Sequence, residues 1–133
     1  MLRLPIRTPV EYETNLSRIF QVESRKGRLA SSIHFLDTQS ILTRYFRTQP
    51  EFKPLFEQLE STRVQSSDEI LTLLRSVGFH QKLETKSFLV VSPYYHLLEP
   101  RSAMLQKRIV WKIEQALENI ERKHAIHVIV AEE

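Results

Sequence analysis

The chain has 133 residues, of which 41% are hydrophobic and 26% charged; such proportions support one folded core and leave too little chain for two. Two glycines rule out a Gly-rich phosphate loop, and the absence of cysteine rules out disulfides, thiolate metal sites, iron–sulfur clusters and cysteine nucleophiles. The net charge of +3 comes from the N-terminal part: residues 1–30 carry six basic side chains against three acidic ones, whereas residues 99–133 carry six of each, and no like-charge run is long enough to form a nucleic-acid-binding arm.

Prolines and arginines interrupt Met1 to Pro9, so this stretch does not read as a signal peptide. The longest apolar runs, Phe88 to Val91 and Ile126 to Ala131, are far short of the roughly 20 residues of a membrane span. A soluble, cytoplasmic protein is expected, folded as a single domain over 1–133, with residues 1–15 as an extended arm and 16–133 as the globular core. Pro5 and Pro9 favour the arm, because each removes a backbone donor and extends the residue before it.

From Leu16 to Val22 and again from Leu29 to Leu36 the pattern suits strands. Arg25-Lys26-Gly27-Arg28 between them suits a reversal, with Gly27 at positive φ, and together they predict an N-terminal hairpin. Asp37 stands where a helix N-cap belongs, and Ile41, Leu42, Tyr45 and Phe46 follow at helical spacing to about Thr48. Past Pro50, the repeat Phe52, Leu55, Phe56, Leu59 predicts a second short helix, and Ser61 to Gln65 reads as a polar linker.

Ser66 and Glu69 form an S-x-x-E capping box ahead of Ile70, Leu73, Leu74 and Val77, with Gly78 expected as the left-handed residue that ends this third helix. Phe79 to Leu83 and Phe88 to Val91 then read as two strands of a second hairpin, the latter a continuous apolar run of the buried kind. Pro93 and Pro100 bracket an ordered loop or short turn. The longest helix is predicted over about Ser102 to Lys123, where Leu105, Ile109, Ile113, Ala116, Leu117 and Ile120 share one stripe, and Ile126 to Val130 closes the chain as a strand. The order ββαααββαβ predicts an α+β fold, an antiparallel or mixed sheet with helices packed on one face.

Chemistry-bearing residues yield no catalytic, cofactor or metal assignment. His124 and His127 form H-x-x-H at a helix–strand junction, without the H-E-x-x-H helical context or a third carboxylate close in sequence. His34 and His80 lie in expected strands, where alternation turns them toward solvent. Asp37, Asp68 and Glu69 are accounted for by helix N-termini, and no G-x-S-x-G elbow occurs.

One residue stands apart. On the wheel of the long helix Trp111 falls about 100° from the edge of the apolar stripe, on the side of Met104 and among Lys107, Glu118 and Arg122. Tryptophan is costly to expose and enriched in interface hot spots, so Met104 and Trp111 are expected to meet a protein partner or a second protomer, unless the N-terminal arm or the Tyr94-Tyr95 loop covers them. The function expected is therefore a non-enzymatic interaction module or assembly subunit. A second reading is a nucleic-acid-binding regulator, using Arg18, Arg25, Lys26 and Arg28 of the basic hairpin and a winged-helix-like order over Glu69 to Ser92, although that helix opens with acidic residues and offers only Arg75 as a base.

Overall fold

The computed structural model describes residues 1–5, 11, 14–15, 18, 33–38, 60–98 and 101–132. Five strands form one sheet: β1 (Leu2–Pro5), β2 (Ile33–Asp37), β3 (Glu60–Arg63), β4 (Phe88–Val91) and β5 (His127–Glu132). Their spatial order is β1-β5-β4-β2-β3, and every neighbouring pair is parallel. This overturns the expected antiparallel or mixed sheet. Parallel neighbours need a crossover rather than a tight turn, so neither expected hairpin exists among the described strands.

The second hairpin fails because Phe79 to Leu83 is helical. Helix α1 (Ser67–Arg75) stops at Ser76, whose extended backbone and side chain start a new helix, α2 (Val77–Leu83). Ser76 Oγ accepts from the Phe79 amide at 3.2 Å and donates to Leu73 O at 2.8 Å, so one hydroxyl both ends α1 and caps α2. The two helices carry the chain from β3 over β2 to β4, and the 22-residue α3 (Ala103–His124) carries it from β4 to β5. A short 3₁₀ turn, Tyr95–Leu98, occupies the loop between Pro93 and Pro100.

At the N-terminal side, β2 begins inside the expected Leu29 to Leu36 strand, but its partners are β3 and β4. Arg18, expected in a strand, has helical backbone, as do Glu11, Thr14 and Asn15 of the expected extended arm, while Leu2–Pro5 is a strand at the sheet edge. Asp37 closes β2, and its carbonyl accepts the Val64 amide at 2.9 Å; the helix it was expected to cap lies outside the described residues. The expected polar linker contains β3, polar because it is an edge strand paired on one side only. The Arg25 to Arg28 reversal, the rest of Leu16 to Val22 and the two helices expected between Thr38 and Leu59 lie outside the described residues.

Burial explains the parallel sheet. Phe88, Leu89, Val90 and Val91 are all 3% exposed or less, so β4 is covered on both faces, as central parallel strands are. Register places Leu36, Val91 and Val130 in one row and Phe35, Val90 and Ile129 in the next, on opposite faces. The first face joins Ile70, Leu74, Phe79, Leu83, Ile113, Leu117 and Ile120 of the helices in one core. Ile33, Phe35, Val90, Ile129 and Ala131 on the second face are also buried, which a sheet with helices on one side only would not give. Edge strand β1 is clamped by Arg3, whose guanidinium reaches Glu132 of β5 at 2.6 Å and Glu114 of α3 at 2.7 Å.

The capping box is present in modified form. The Glu69 amide donates to Ser66 Oγ at 3.1 Å, and the Glu69 carboxylate accepts from the Gln65 amide, one residue earlier than the Ser66 amide of the usual box. Gly78 is not the left-handed terminator expected of it. It lies inside α2, and a Cβ built there meets nothing within 4 Å. The left-handed residue is Ala125, φ 52°, at the junction of α3 and β5.

These placements set the signs of three substitutions. Ser66→Ala should lower stability by about 0.5–2 kcal/mol. Gly78→Ala should raise it by about 0.5 kcal/mol by stiffening the unfolded chain, and Ala125→Gly should raise it by a similar order by relieving the left-handed β-carbon. Urea midpoints read all three; a loss on Gly78→Ala would return that residue to a left-handed cap.

Candidate functional site

In open parallel sheets ligands favour the crevice beyond the strand C-termini where the chain departs in opposite directions from adjacent strands. Here that point lies between β2, which leads outward to β3, and β4, which leads the other way to β5. Its residues bond to one another. Ser92 Oγ accepts from the Thr38 amide at 2.8 Å and donates to Leu36 O at 3.0 Å, and Thr38 Oγ1 donates to the Pro93 carbonyl. Ser92 is fully buried and Thr38 nearly so. The two hydroxyls stitch the strand ends together, leaving neither aimed outward as a ligand-binding group.

A second polar cluster sits at the opposite, N-terminal end of the sheet. His34, expected in solvent, is 1% exposed. It lies on the helix-covered face, edge-on to the Phe79 ring at 5.3 Å, with Nε2 sharing a 2.8 Å hydrogen bond with Thr62 Oγ1. The alternation argument fails because both faces of β2 are buried. Nδ1 lies 3.9 Å from the Glu60 carboxylate, which also pairs with Lys86 at 3.3 Å. Burial strips the ring of water and pushes its pKa down to about 4, with Glu60 opposing the fall and Lys86 and Lys82 reinforcing it. Enclosed and neutral, His34 is packed in the core, with Nδ1 lacking a hydrogen-bond partner among the described residues.

The His34 shift makes stability pH-dependent in one direction. The unfolded ring protonates near 6.5 and the folded ring only near 4, so its contribution is complete above pH 6.5 and is lost as pH falls toward 4. The change should amount to roughly 3 kcal/mol. Urea midpoints from pH 7 to 4.5 should fall in wild type and flatten in His34→Gln; an equal slope in both would assign the acid sensitivity to other groups.

The remaining histidines divide between two places. His80 and His124 meet across α2 and α3, Nδ1 to Nε2 at 2.8 Å, while His80 Nε2 is 2.8 Å from Leu74 O. A carbonyl only accepts, so His80 Nε2 carries a proton and donates to Leu74 O, leaving Nδ1 to face His124 Nε2. Burial, then the neighbouring His80 and Lys123, hold the His124 pKa below the ordinary histidine value. His127 instead lies beside Phe88, ring centroids 5.5 Å apart, so the H-x-x-H pair is split between different neighbours. Among the described residues no group of three His, Cys, Asp or Glu side chains could hold a metal ion.

The His80–His124 bond ties α2 to the last turn of α3 beside a groove of about 560 Å³. One wall is Leu74, Arg75, Val77, His80, Gln81 and Glu84 from α1 and α2; the other is Trp111, Lys112, Gln115, Ala116, Asn119, Lys123 and His124 from α3. Trp111 is 61% exposed, Val77 on the opposite wall 73%, and Met104 two turns before Trp111 on α3 76%. Trp111 and Met104, singled out from the helical wheel, are both exposed, and Leu105 at the start of the core stripe is exposed with them. Ile109, Ile113, Leu117 and Ile120 occupy the buried side of α3. Val77 was missed because it was assigned to the core face of a helix that in fact ends two residues earlier.

Of the basic residues considered for nucleic acid, Arg18 is exposed on helical backbone, and Arg25, Lys26 and Arg28 lie outside the described residues. The winged-helix order does not hold: residues 77–83 are helix, and β4 pairs in parallel with β2 and β5, which leaves no wing. No described helix is long and apolar enough to cross a membrane. No family model matches the chain, and no curated protein matches it.

Because its ring stands clear of the core, Trp111→Ala should change unfolding free energy by no more than about 0.5 kcal/mol. Loss of cooperative unfolding in this variant would place Trp111 in the chain's own core.

Proposed function

We propose that the chain is a non-enzymatic interaction module or assembly subunit that binds a protein partner, or a second copy of itself, through the exposed face of α3 and the groove beside it. The exposure of Trp111 carries this reading. Covering the exposed part of one indole is worth roughly 2–4 kcal/mol at about 25 cal/mol per Å², and Val77 and Met104 extend the apolar surface on either side of it. Tryptophan in a lined groove, ringed by polar side chains, has the make-up of an interface hot spot.

The cysteine-free composition fits operation in the reducing cytoplasm. The self-closed switch point between β2 and β4 supports a binding role over nucleotide chemistry, since its hydroxyls already have partners. The nucleic-acid reading retains exposed Arg18 but loses its winged-helix support, and it remains the competing outcome of the test.

A photo-crosslinking amino acid placed at Trp111 in the native host should form protein adducts. The purified chain, or the chain with that protein, should sediment above the 15.8 kDa monomer. Trp111→Ala should weaken the association by about 2 kcal/mol or more. Adducts to nucleic acid alone, or association indifferent to Trp111→Ala, would contradict the reading.

A further inference from the structure

The groove wall carries three cations, Arg75, Lys112 and Lys123, against one carboxylate, Glu84. None of the three cations forms an ion pair with a carboxylate among the described residues. The two histidines at its end are bonded to each other, with His80 also held by Leu74 O, and so add no acceptor for a cation. Between these charges lie exposed Trp111 and Val77. The walls are helices and the helix ends beside them, with no sheet edge among the lining residues, so the surface offers side chains and cannot add a strand.

Resting on the interaction reading above, we propose that the groove receives an acidic amphipathic helix of a partner protein. Its apolar anchor would seat between Trp111 and Val77, and its carboxylates would face Arg75, Lys112 and Lys123. Two observations favour this occupant over others. A second copy docking symmetrically would bring the same three cations toward their own images, because a two-fold contact pairs a surface with itself. A nucleic acid would meet Glu84 in the wall and a concave apolar patch in place of the continuous basic stripe that phosphates follow.

The test selects a displayed library of randomised peptides of about 15 residues, long enough for marginal helices, against the full chain. Binders lost on Trp111→Ala are sequenced and titrated, and a fluorescein-labelled single-stranded oligonucleotide is titrated in parallel. Trp111-dependent peptides should be enriched in Asp and Glu beside Leu, Phe or Trp. Their affinity should fall at least about tenfold in Lys112→Glu/Lys123→Glu and weaken with added salt. Trp111-dependent peptides without acidic excess, indifferent to the charge reversal, would leave the interaction reading standing and overturn the acidic partner. Absence of any Trp111-dependent peptide, or Trp111-dependent binding of the oligonucleotide alone, would overturn both.

Discussion

Strand β4 is the constraint from which the rest of the molecule follows. Four consecutive apolar residues, Phe88 to Val91, are buried on both faces between β2 and β5. A strand with no solvent face cannot sit in a sheet open to water on one side, and its parallel neighbours can be reached only by crossovers. Those crossovers are α1 with α2, and α3. Both run the same way along the sheet, and right-handed connection puts them on one face, where their buried stripes meet Leu36, Leu89, Val91, Val128 and Val130. The outer side of that helical layer is where the groove and Trp111 are found.

Much of this was legible from local chemistry. The capping serine at 66 and the long helix from about residue 102 follow from sequence spacing; the structure makes the Ser66 cap and adds one the spacing did not single out, at Ser102. The apolar run of β4 also carried the parallel signal, but a helix expected to end at Gly78 left Phe79 to Leu83 free to read as its hairpin partner. Ser76 was the residue that mattered there. A serine able to cap an amide three residues on restarts a helix, and once it does, Gly78 is an ordinary helical position and the turn it was expected to make disappears. The left-handed turn instead falls on Ala125, a residue type that gives no warning of positive φ.

The candidate site divides in the same way. Exposure of Trp111 and Met104 was visible on a helical wheel, since it depends only on the angle between these residues and the stripe of Ile109, Ile113 and Leu117. The opposite wall was not visible, because Val77, His80 and Glu84 come together only after the chain bends at Ser76. The burial of His34 was hidden for another reason: alternation separates two faces but cannot say that both are covered. The His80–His124 pair, 44 residues apart in sequence, arises from tertiary packing alone.

Trp111 faces solvent in the isolated chain, and the proposed function requires a protein partner to cover it. As the chain's single tryptophan, it reports on the groove without interference. The most direct measurement is acrylamide quenching of its emission, compared between the isolated chain and the chain in complex as recovered from its host. Emission from the isolated monomer should be red-shifted and readily quenched, and emission from the complex blue-shifted and protected. Equal quenching in both states, or a protected tryptophan in the isolated monomer, would contradict the proposed function.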